Sequence, residues 1–325
     1  MTLVADISQQ LSVRQYAVVA TPQNPLPLDS GRVLDEAVLC YETFGRLNAR
    51  GSNAILVCHA LTGDSHVAGR YDPSDRKPGW WDEAVGPGKA LDTDRFFVIC
   101  SNVLGGCQGS TGPAGINPAT GEPYGLDFPL VTTGDMVRAQ ARLLDHLGVS
   151  QLVAVVGGSL GGMQTLQWAV AYPDRMRGIV PIGGAGRFHP QGIAFNEVQR
   201  QAILNDPEFR GGRYYGTPGP VRGLATARML GMITYRSDSS MWQQFGRELR
   251  PGREEIPPVA DFGITYQVES YLHYQGDALV RRFDANSYLY LSRAMDLHDI
   301  GRGYPSYEAA HAAIRARVLS VGINS

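Results

Sequence analysis

The sequence predicts an α/β fold with a mostly parallel central sheet and an inserted block of helices, and three observations support this prediction. Short apolar runs typical of strands alternate with amphipathic helical patterns in the first half of the chain, an order that favours a parallel sheet with right-handed crossovers. One of these runs leads directly into a glycine-rich turn. From about residue 187 to residue 300 the pattern is helical throughout. We therefore expect a core at residues 1–186, a helical lid at 187–300 and a return to the core at 301–325.

The composition indicates an ordinary globular protein. The 325 residues are 43% hydrophobic and carry a net charge of −2, so we expect no nucleic-acid-binding or membrane-binding surface. Residues 1–10 lack the pattern of a signal peptide, and no apolar run approaches the roughly 20 residues that span a bilayer. Cys40, Cys58, Cys100 and Cys107 form no C-x-x-C pair, which favours reduced thiols in a cytoplasmic protein over disulfides or a zinc site.

The first two predicted strands lie at residues 38–44 and 54–58 and are separated by turn-forming residues. The second strand leads into a loop, residues 59–66, that contains His59 and His66. Two histidines in a loop could suggest a metal site, but Asp64 is the only carboxylate beside them, so we expect no metal there.

A third strand is predicted at residues 96–101, followed by a glycine-rich stretch at 104–129 without periodicity. Such a stretch is either an ordinary surface loop or part of an active-site rim, and the sequence favours neither interpretation. A helix is then expected to start at Thr133 or Gly134 and to end at Gly148.

The central feature of the sequence is a glycine-rich turn at residues 157–161, Gly-Gly-Ser-Leu-Gly. A predicted strand at 152–156 precedes it and a helical pattern follows it, which is the context of the G-x-S-x-G nucleophile elbow of the α/β-hydrolase fold. Small neighbours let backbones pass close to a strained serine, and the following helix directs its dipole and the Leu160 N–H at the site. Ser159 is therefore the predicted nucleophile. The alternative is an ordinary βα turn, whereas a phosphate-binding loop is disfavoured because no Gly-Lys-Ser/Thr follows.

A second oxyanion donor is expected in the loop that follows an early central strand of this fold. The loop after residue 58 occupies that position, and the Leu61 N–H is the candidate donor.

The rest of the chain is expected to be mostly helical. One more strand, at residues 178–182, follows the elbow helix. Helices are predicted in the lid at residues 193–204, 220–235, 241–249, 268–275 and 284–295. A helix at 307–315 and a strand at 317–323 then complete the core.

Ser159 needs a general base, because a free hydroxyl is a poor nucleophile near neutral pH. In the α/β-hydrolase fold the acid and the histidine follow the serine, and the acid belongs at the end of the strand after the lid. None of the seven histidines occupies the expected place, and we expect Asp296 and Asp299 to form ion pairs or caps. The sequence therefore predicts that the acid and base lie beyond Ser325, in a C-terminal part missing from this chain. The reading frame is expected to continue with an aspartate almost at once and a histidine some tens of residues later.

Five motifs together resemble one enzyme family. They lie at residues 59–63, 101–107, 157–164, 223–229 and 282–290. These motifs look like those of the homoserine O-acetyltransferases, which are α/β-hydrolase-fold enzymes of methionine biosynthesis. The resemblance extends from about Tyr41 to Ser325 and is far more specific than G-x-S-x-G alone.

The resemblance implies an acyltransferase that moves an acetyl group from acetyl-CoA to the hydroxyl of L-homoserine. It implies that Ser159 carries the acetyl group while the Leu61 and Leu160 N–H groups hold the oxyanion. It also makes Arg228 the residue that binds the homoserine carboxylate, although spacing alone would favour a solvated lid arginine. A homodimer through the lid is implied as well, with no bound cofactor and no metal.

Several alternatives stay open. Relatives of this family transfer succinyl instead of acetyl, or use serine as the acceptor, and a few pocket side chains decide between them. A plain esterase of the same fold would hydrolyse simple esters without homoserine. A catalytically incomplete fragment would keep the binding surfaces and lack the triad.

Overall fold

The computed structural model describes residues 11–252 and 262–323, which divide into two compact units. The first unit contains the described residues up to Phe188 together with Tyr290–Ile323, and the second contains the described part of His189–Leu289. The expectation about residues 1–10 and the chain end at Ser325 lie outside the described residues. None of the described helices is both long enough and apolar enough to cross a membrane.

The first unit is built on a mostly parallel sheet. The described strands are β1 Gln15–Ala20, β2 Leu26–Pro27, β3 Val33–Leu34, β4 Ala37–Phe44, β5 Ala54–Cys58, β6 Val85–Gly86, β7 Leu91–Asp92, β8 Phe97–Ser101, β9 Leu152–Gly158, β10 Met176–Ile182 and β11 Arg317–Val318. Seven of them form one sheet in the order β1-β4-β8-β5-β9-β10-β11. The β1–β4 and β4–β8 pairs are antiparallel, and every pair from β8 to β11 is parallel. The predicted fold class is confirmed.

The register of the central strands brings their carboxyl ends together. Strand β5 is buried along its whole length, as expected for a parallel strand covered on both faces. Its last residue, Cys58, lies opposite Gly157 on β9, and Gly158 lies opposite Ile182 at the end of β10. The turns that follow these three strands therefore start side by side at one edge of the sheet.

Eight α-helices are found among the described residues. They are α1 Thr133–His146, α2 Leu160–Ala171, α3 Pro190–Leu204, α4 Val221–Thr234, α5 Asp238–Phe245, α6 Gln267–Val280, α7 Ala285–Asp296 and α8 Tyr307–Ala312. Helix α1 begins with a capping box, in which the Thr132 hydroxyl accepts a hydrogen bond from the Asp135 N–H and the Asp135 carboxylate accepts one from the Thr132 N–H. Helix α2 starts directly after β9, as predicted.

Helix α5 begins and ends earlier than the predicted range of 241–249. The Ser237 hydroxyl accepts a hydrogen bond from the Ser240 N–H at 3.3 Å and so caps a start at Asp238. Gly246 adopts φ 51°, a left-handed conformation that stops the helix.

The second unit is a helical assembly with close backbone contacts. A Cβ atom on Gly223 of α4 would lie 2.4 Å from the Ala202 carbonyl oxygen on α3, so the two helices pack with no side chain between them at that point. On α7, the buried Tyr288 hydroxyl donates a hydrogen bond to Gln199 of α3.

The chain returns to the first unit earlier than predicted. The lid is predicted to extend to residue 300, but the residues from Tyr290 onward belong to the first unit. The Tyr290 hydroxyl donates to the Phe128 carbonyl at 2.6 Å, and the His298 Nδ1 atom is hydrogen-bonded to the Thr133 hydroxyl at 2.8 Å. The helical periodicity could not mark this boundary, because it falls inside one continuous helix, α7.

The last strand is shorter than the predicted range of 317–323. Strand β11 ends at Val318, and pairing with β10 continues as an isolated bridge between Val321 and Ile182. Leu319 and Val321 donate their N–H groups to β10, but Pro181 on β10 has no N–H to return to the Leu319 carbonyl. The missing donor interrupts the ladder.

Candidate active site

The elbow holds Ser159 in a strained conformation at the end of β9. Ser159 has φ 56° and ψ −119°, an unusual backbone geometry for a residue with a side chain, which costs about 1–3 kcal/mol when the surroundings enforce it. Its N–H is anchored to the Ile182 carbonyl at 2.9 Å, and α2 begins at the next residue. The half-buried hydroxyl thus stands at the edge of the sheet where the turns meet.

Two glycines let the end of β5 touch the first turn of α2. A Cβ atom on Gly161 would lie 2.0 Å from the Cys58 carbonyl oxygen, and one on Gly157 would lie 2.5 Å from the Gly161 carbonyl oxygen. Any side chain at these positions would force strand and helix apart. The glycines of the motif are therefore required by this contact, and the contact brings the loop after β5 to the serine.

The two predicted oxyanion donors lie on either side of this contact. Leu61 and Leu160 are both buried, and within the described part of the chain neither main-chain N–H donates a hydrogen bond. The Leu160 N–H belongs to the first turn of a helix, where such groups have no partner inside the helix. Buried N–H groups without acceptors are suited to bind an oxygen atom that gains negative charge during a reaction.

His59 acts as a brace for the loop that carries Leu61. It is 1% exposed, its Nδ1 atom is hydrogen-bonded to the Ala60 carbonyl at 2.7 Å, and its Nε2 atom accepts a hydrogen bond from the Val103 N–H at 3.1 Å. These contacts assign the proton to Nδ1. Burial lowers the pKa of the imidazole below its usual value, so the ring is neutral. No cluster of potential metal ligands is present among the described residues.

The glycine-rich stretch after β8 is partly built into the core. The Gly105 N–H donates to the Thr111 carbonyl at 2.8 Å, and the Ser110 hydroxyl donates to the Asn102 carbonyl at 2.6 Å. The Cys40 N–H on β4 donates in turn to the Ser110 hydroxyl at 3.0 Å. Together with the Val103–His59 bond, this start of the stretch belongs to the framework of the site.

A buried carboxylate, Glu42, was not identified from the sequence. It is fully buried on β4 and accepts hydrogen bonds from the Tyr71 hydroxyl at 2.7 Å, the Ser65 hydroxyl at 3.1 Å and the His66 Nδ1 at 3.1 Å. Burial alone would raise the pKa of Glu42, but the hydrogen bonds from His66, Tyr71 and Ser65 together lower it, so the group is ionised. Glu42 thus holds the end of the Leu61 loop, through Ser65 and His66, and the chain just after it, through Tyr71.

His298 and His189 have surroundings or hydrogen-bond partners that do not involve Ser159. His298 is buried, and burial lowers its pKa to about 4, while His189 caps α3 through a hydrogen bond from the Gly192 N–H. Asp299 pairs with Arg187 at 2.8 Å, as expected for an ion pair. Among the described residues, no histidine or carboxylate is hydrogen-bonded to the Ser159 hydroxyl. The acid and base expected beyond Ser325 stay a prediction.

Arg228, the predicted carboxylate-binding residue, lies on α4 in the second unit. Its guanidinium carbon is 5.8 Å from the centre of the Tyr235 ring. The buried Nε atom donates no hydrogen bond, and the side chain forms no ion pair within residues 11–252 and 262–323. A partly buried cation with an unused donor is suited to bind an anionic group.

Comparison with known proteins identifies close relatives. A family described as the alpha/beta hydrolase fold matches residues 53–292. The chain is 77% identical to the homoserine O-acetyltransferase of Symbiobacterium thermophilum, over 97% of this chain and 82% of that protein. It is 56% identical to the homoserine O-succinyltransferase of Alkalilimnicola ehrlichii, over 93% of this chain and 78% of that protein.

Solved structures similar to this chain include a homoserine O-acetyltransferase and an esterase. The homoserine O-acetyltransferase from Bacillus anthracis matches with a TM-score of 0.88 and 32% identity, covering 97% of this chain and 83% of that one. Esterase E22 matches with a TM-score of 0.86 and 34% identity, covering 96% of this chain and 85% of that one.

Replacing Gly161 with alanine is expected to destabilise the protein by about 1–3 kcal/mol, because the new methyl group would collide with the Cys58 carbonyl. Gly158→Ala is the matched control, since its Cβ would meet only the Ile182 carbonyl at an ordinary 3.8 Å. Urea unfolding of both variants measures the difference. Equal losses of stability would show that the strand–helix contact is not the reason for Gly161.

Proposed function

The chain belongs to the homoserine O-acetyltransferase family of α/β-hydrolase-fold acyltransferases, and on this basis we propose that it transfers an acetyl group from acetyl-CoA to the hydroxyl of L-homoserine. The observation that carries the proposal is the 77% identity to a homoserine O-acetyltransferase over 97% of the chain. The elbow and the two unpaired N–H groups beside it suit the acyl-transfer chemistry. The proposed role in the cell is a step of methionine biosynthesis.

In the proposed mechanism, the Ser159 oxygen attacks the thioester carbonyl while a general base takes the hydroxyl proton. The Leu61 and Leu160 N–H groups stabilise the tetrahedral oxyanion, and the loss of one such donor typically costs about 10²–10³ in rate. The C–S bond then breaks, the base gives its proton to the leaving sulfur, coenzyme A leaves as the thiol, and Ser159 carries the acetyl group. The base next takes the proton of the homoserine hydroxyl as that oxygen attacks the ester. The bond between the acetyl carbon and the Ser159 oxygen breaks, this oxygen regains the proton from the base, and O-acetylhomoserine leaves.

We assign binding of the homoserine carboxylate to Arg228. Its planar guanidinium can donate two parallel hydrogen bonds to a carboxylate, and its Nε donor is unused among the described residues. A substrate held by its carboxylate is positioned for attack through its hydroxyl, which favours transfer over hydrolysis.

Succinyl transfer and simple ester hydrolysis are the alternatives to acetyl transfer. Succinyl transfer is supported by the homoserine O-succinyltransferase relative, but a succinyl donor needs a cation for its free carboxylate, and we assign no residue to that task. Simple ester hydrolysis is supported by the likeness to esterase E22. A hydrolase needs no acceptor other than water, whereas either transferase releases thiol at a sustained rate only with an acceptor, so this requirement distinguishes them.

We further propose that the protein is a cytoplasmic homodimer without a resident cofactor or metal. The four cysteines are free thiols, which suits a reducing compartment. The second unit leaves large apolar side chains exposed on several of its helices, among them Ile233 on α4, Trp242 on α5 and Tyr274 on α6. Exposed apolar side chains of this size suit an interface between two copies.

With acetyl-CoA as donor, free thiol is expected to be released at a sustained rate only when L-homoserine is present, and Ser159→Ala should abolish release. A thiol reagent measures the rate, with L-serine as the control acceptor and succinyl-CoA as the control donor. Sustained release without any acceptor would favour the hydrolase, and faster release from succinyl-CoA would favour succinyl transfer.

Arg228→Leu is expected to raise the KM for homoserine roughly 10- to 100-fold, because hydrogen bonds between charged groups contribute about 1.5–3 kcal/mol. The KM for acetyl-CoA should change little. Arg222→Leu is the matched control, because Arg222 is exposed on the same helix. Equal effects of the two substitutions would remove Arg228 from the proposed binding site.

Trp242→Glu is expected to convert the dimer to a monomer, because a charge in an apolar interface costs binding free energy. Sedimentation velocity measures the oligomeric state. Leu126→Glu on the first unit, another exposed apolar position, is the control and should stay dimeric. A wild-type protein that sediments as a monomer would contradict the proposal.

A further inference from the structure

A buried chain of polar side chains connects helix α1 to both sides of the elbow. Gln164 lies one turn into α2 and is fully buried. Its Nε2 atom donates to the His59 carbonyl at 3.5 Å and to the Leu160 carbonyl at 3.3 Å. The first carbonyl lies in the loop that carries Leu61, and the second belongs to the residue after the nucleophile. One amide group therefore contacts the backbone of Leu160 and, two residues before Leu61, the loop that carries the other predicted oxyanion donor.

The order of donors and acceptors along these hydrogen-bonded side chains follows from the chemistry of Trp168. The indole N–H can only donate, and it donates to the Gln140 Oε1 atom at 2.8 Å. The Gln140 amide must then present its NH₂ group to Gln164, whose Oε1 atom accepts at 2.8 Å. The Gln164 NH₂ group is left to face the two carbonyls. An amide turned the other way would place its oxygen against two carbonyl oxygens.

The three side chains of this network are shielded from solvent. Trp168, Gln140 and Gln164 are each at most 1% exposed, so water cannot reorient the amides. Gln164 and Trp168 lie four residues apart on one face of α2, and Gln140 faces them from α1. A rigid pair of helices thus determines where the terminal NH₂ group lies.

We propose that Gln164 is a positioning residue for the oxyanion hole, oriented by the donor chain Trp168 to Gln140 to Gln164. The distances to the two carbonyls are long for hydrogen bonds, so Gln164 supports the spacing that the Cys58–Gly161 contact defines and binds neither carbonyl tightly. A donor displaced by a fraction of an ångström stabilises the tetrahedral oxyanion less than a correctly placed one. The inference rests on the proposed function, because it assumes that Ser159 is acylated.

Gln164→Met tests the proposal, because it keeps the length of the side chain and removes the donor. With p-nitrophenyl acetate and the full-length protein, the rate of the p-nitrophenol burst reports acylation of Ser159 independently of any acceptor. We expect this rate to fall roughly 10- to 100-fold with little change in the KM for the ester. Gln201→Met, at an exposed position on α3, is the control and should match the wild type.

A variant in which all three hydrogen-bonded side chains are made apolar distinguishes an effect on the oxyanion hole from an effect on folding. Replacing both partners of a buried hydrogen bond with apolar groups of similar shape can leave stability nearly unchanged, so Gln140→Met, Gln164→Met and Trp168→Phe are combined. This variant is expected to unfold in urea close to the wild type and still to acylate slowly. Trp168→Phe alone should give a smaller loss, because the amides keep their bonds but lose their fixed direction.

The outcomes distinguish the proposals. A wild-type protein with no burst would refute the role of Ser159 and hence the proposed function. A normal wild-type burst together with an unchanged rate in Gln164→Met would refute the positioning role alone. A loss of rate that only follows the loss of folded protein in urea would make Gln164 a structural residue and would also overturn the inference.

Discussion

The site depends on one contact between backbones, where the carbonyl oxygen of Cys58 meets the first turn of α2. There is no room for a Cβ atom on Gly161, because that atom would lie 2.0 Å from the Cys58 carbonyl oxygen. Because β5 and β9 are neighbours in register, this contact turns two separate strand ends into one site. Ser159, Leu61 and Leu160 all take their positions from it. The side chains of the described residues then stabilise an arrangement that the backbone has already defined.

His59 and Glu42 stabilise the loops around this site. His59 links two loops through both ring nitrogens, and it can do so because burial keeps the ring neutral. Glu42 has the opposite character, since it stays charged in the interior and collects donors from three side chains of the following loop. A buried ion with three partners fixes a loop firmly, because the loss of any one partner leaves the buried charge less well compensated.

Much of the fold could be predicted from the sequence, because periodicity and glycine positions report local constraints. The elbow, the parallel strands and most helices follow from them. Strand β1 was missed, because its exposed residues Tyr16 and Val18 are apolar and hide the alternation with buried Ala17 and Val19. The Gln140–Gln164 pair depends on helix packing that no spacing encodes. Glu42 did leave a signal, a charged residue in the middle of an apolar strand.

The left-handed backbone of Ser159 has an evolutionary consequence. Glycine adopts φ 56° readily, so Ser159→Gly would relieve strain in the elbow while removing the hydroxyl of the proposed nucleophile. Selection for heat resistance alone would therefore favour the loss of the serine, whereas selection for the proposed acyl transfer would retain it. A laboratory programme that ranks variants of this protein by melting temperature would reward variants that lack the proposed nucleophile, so activity must be screened alongside stability.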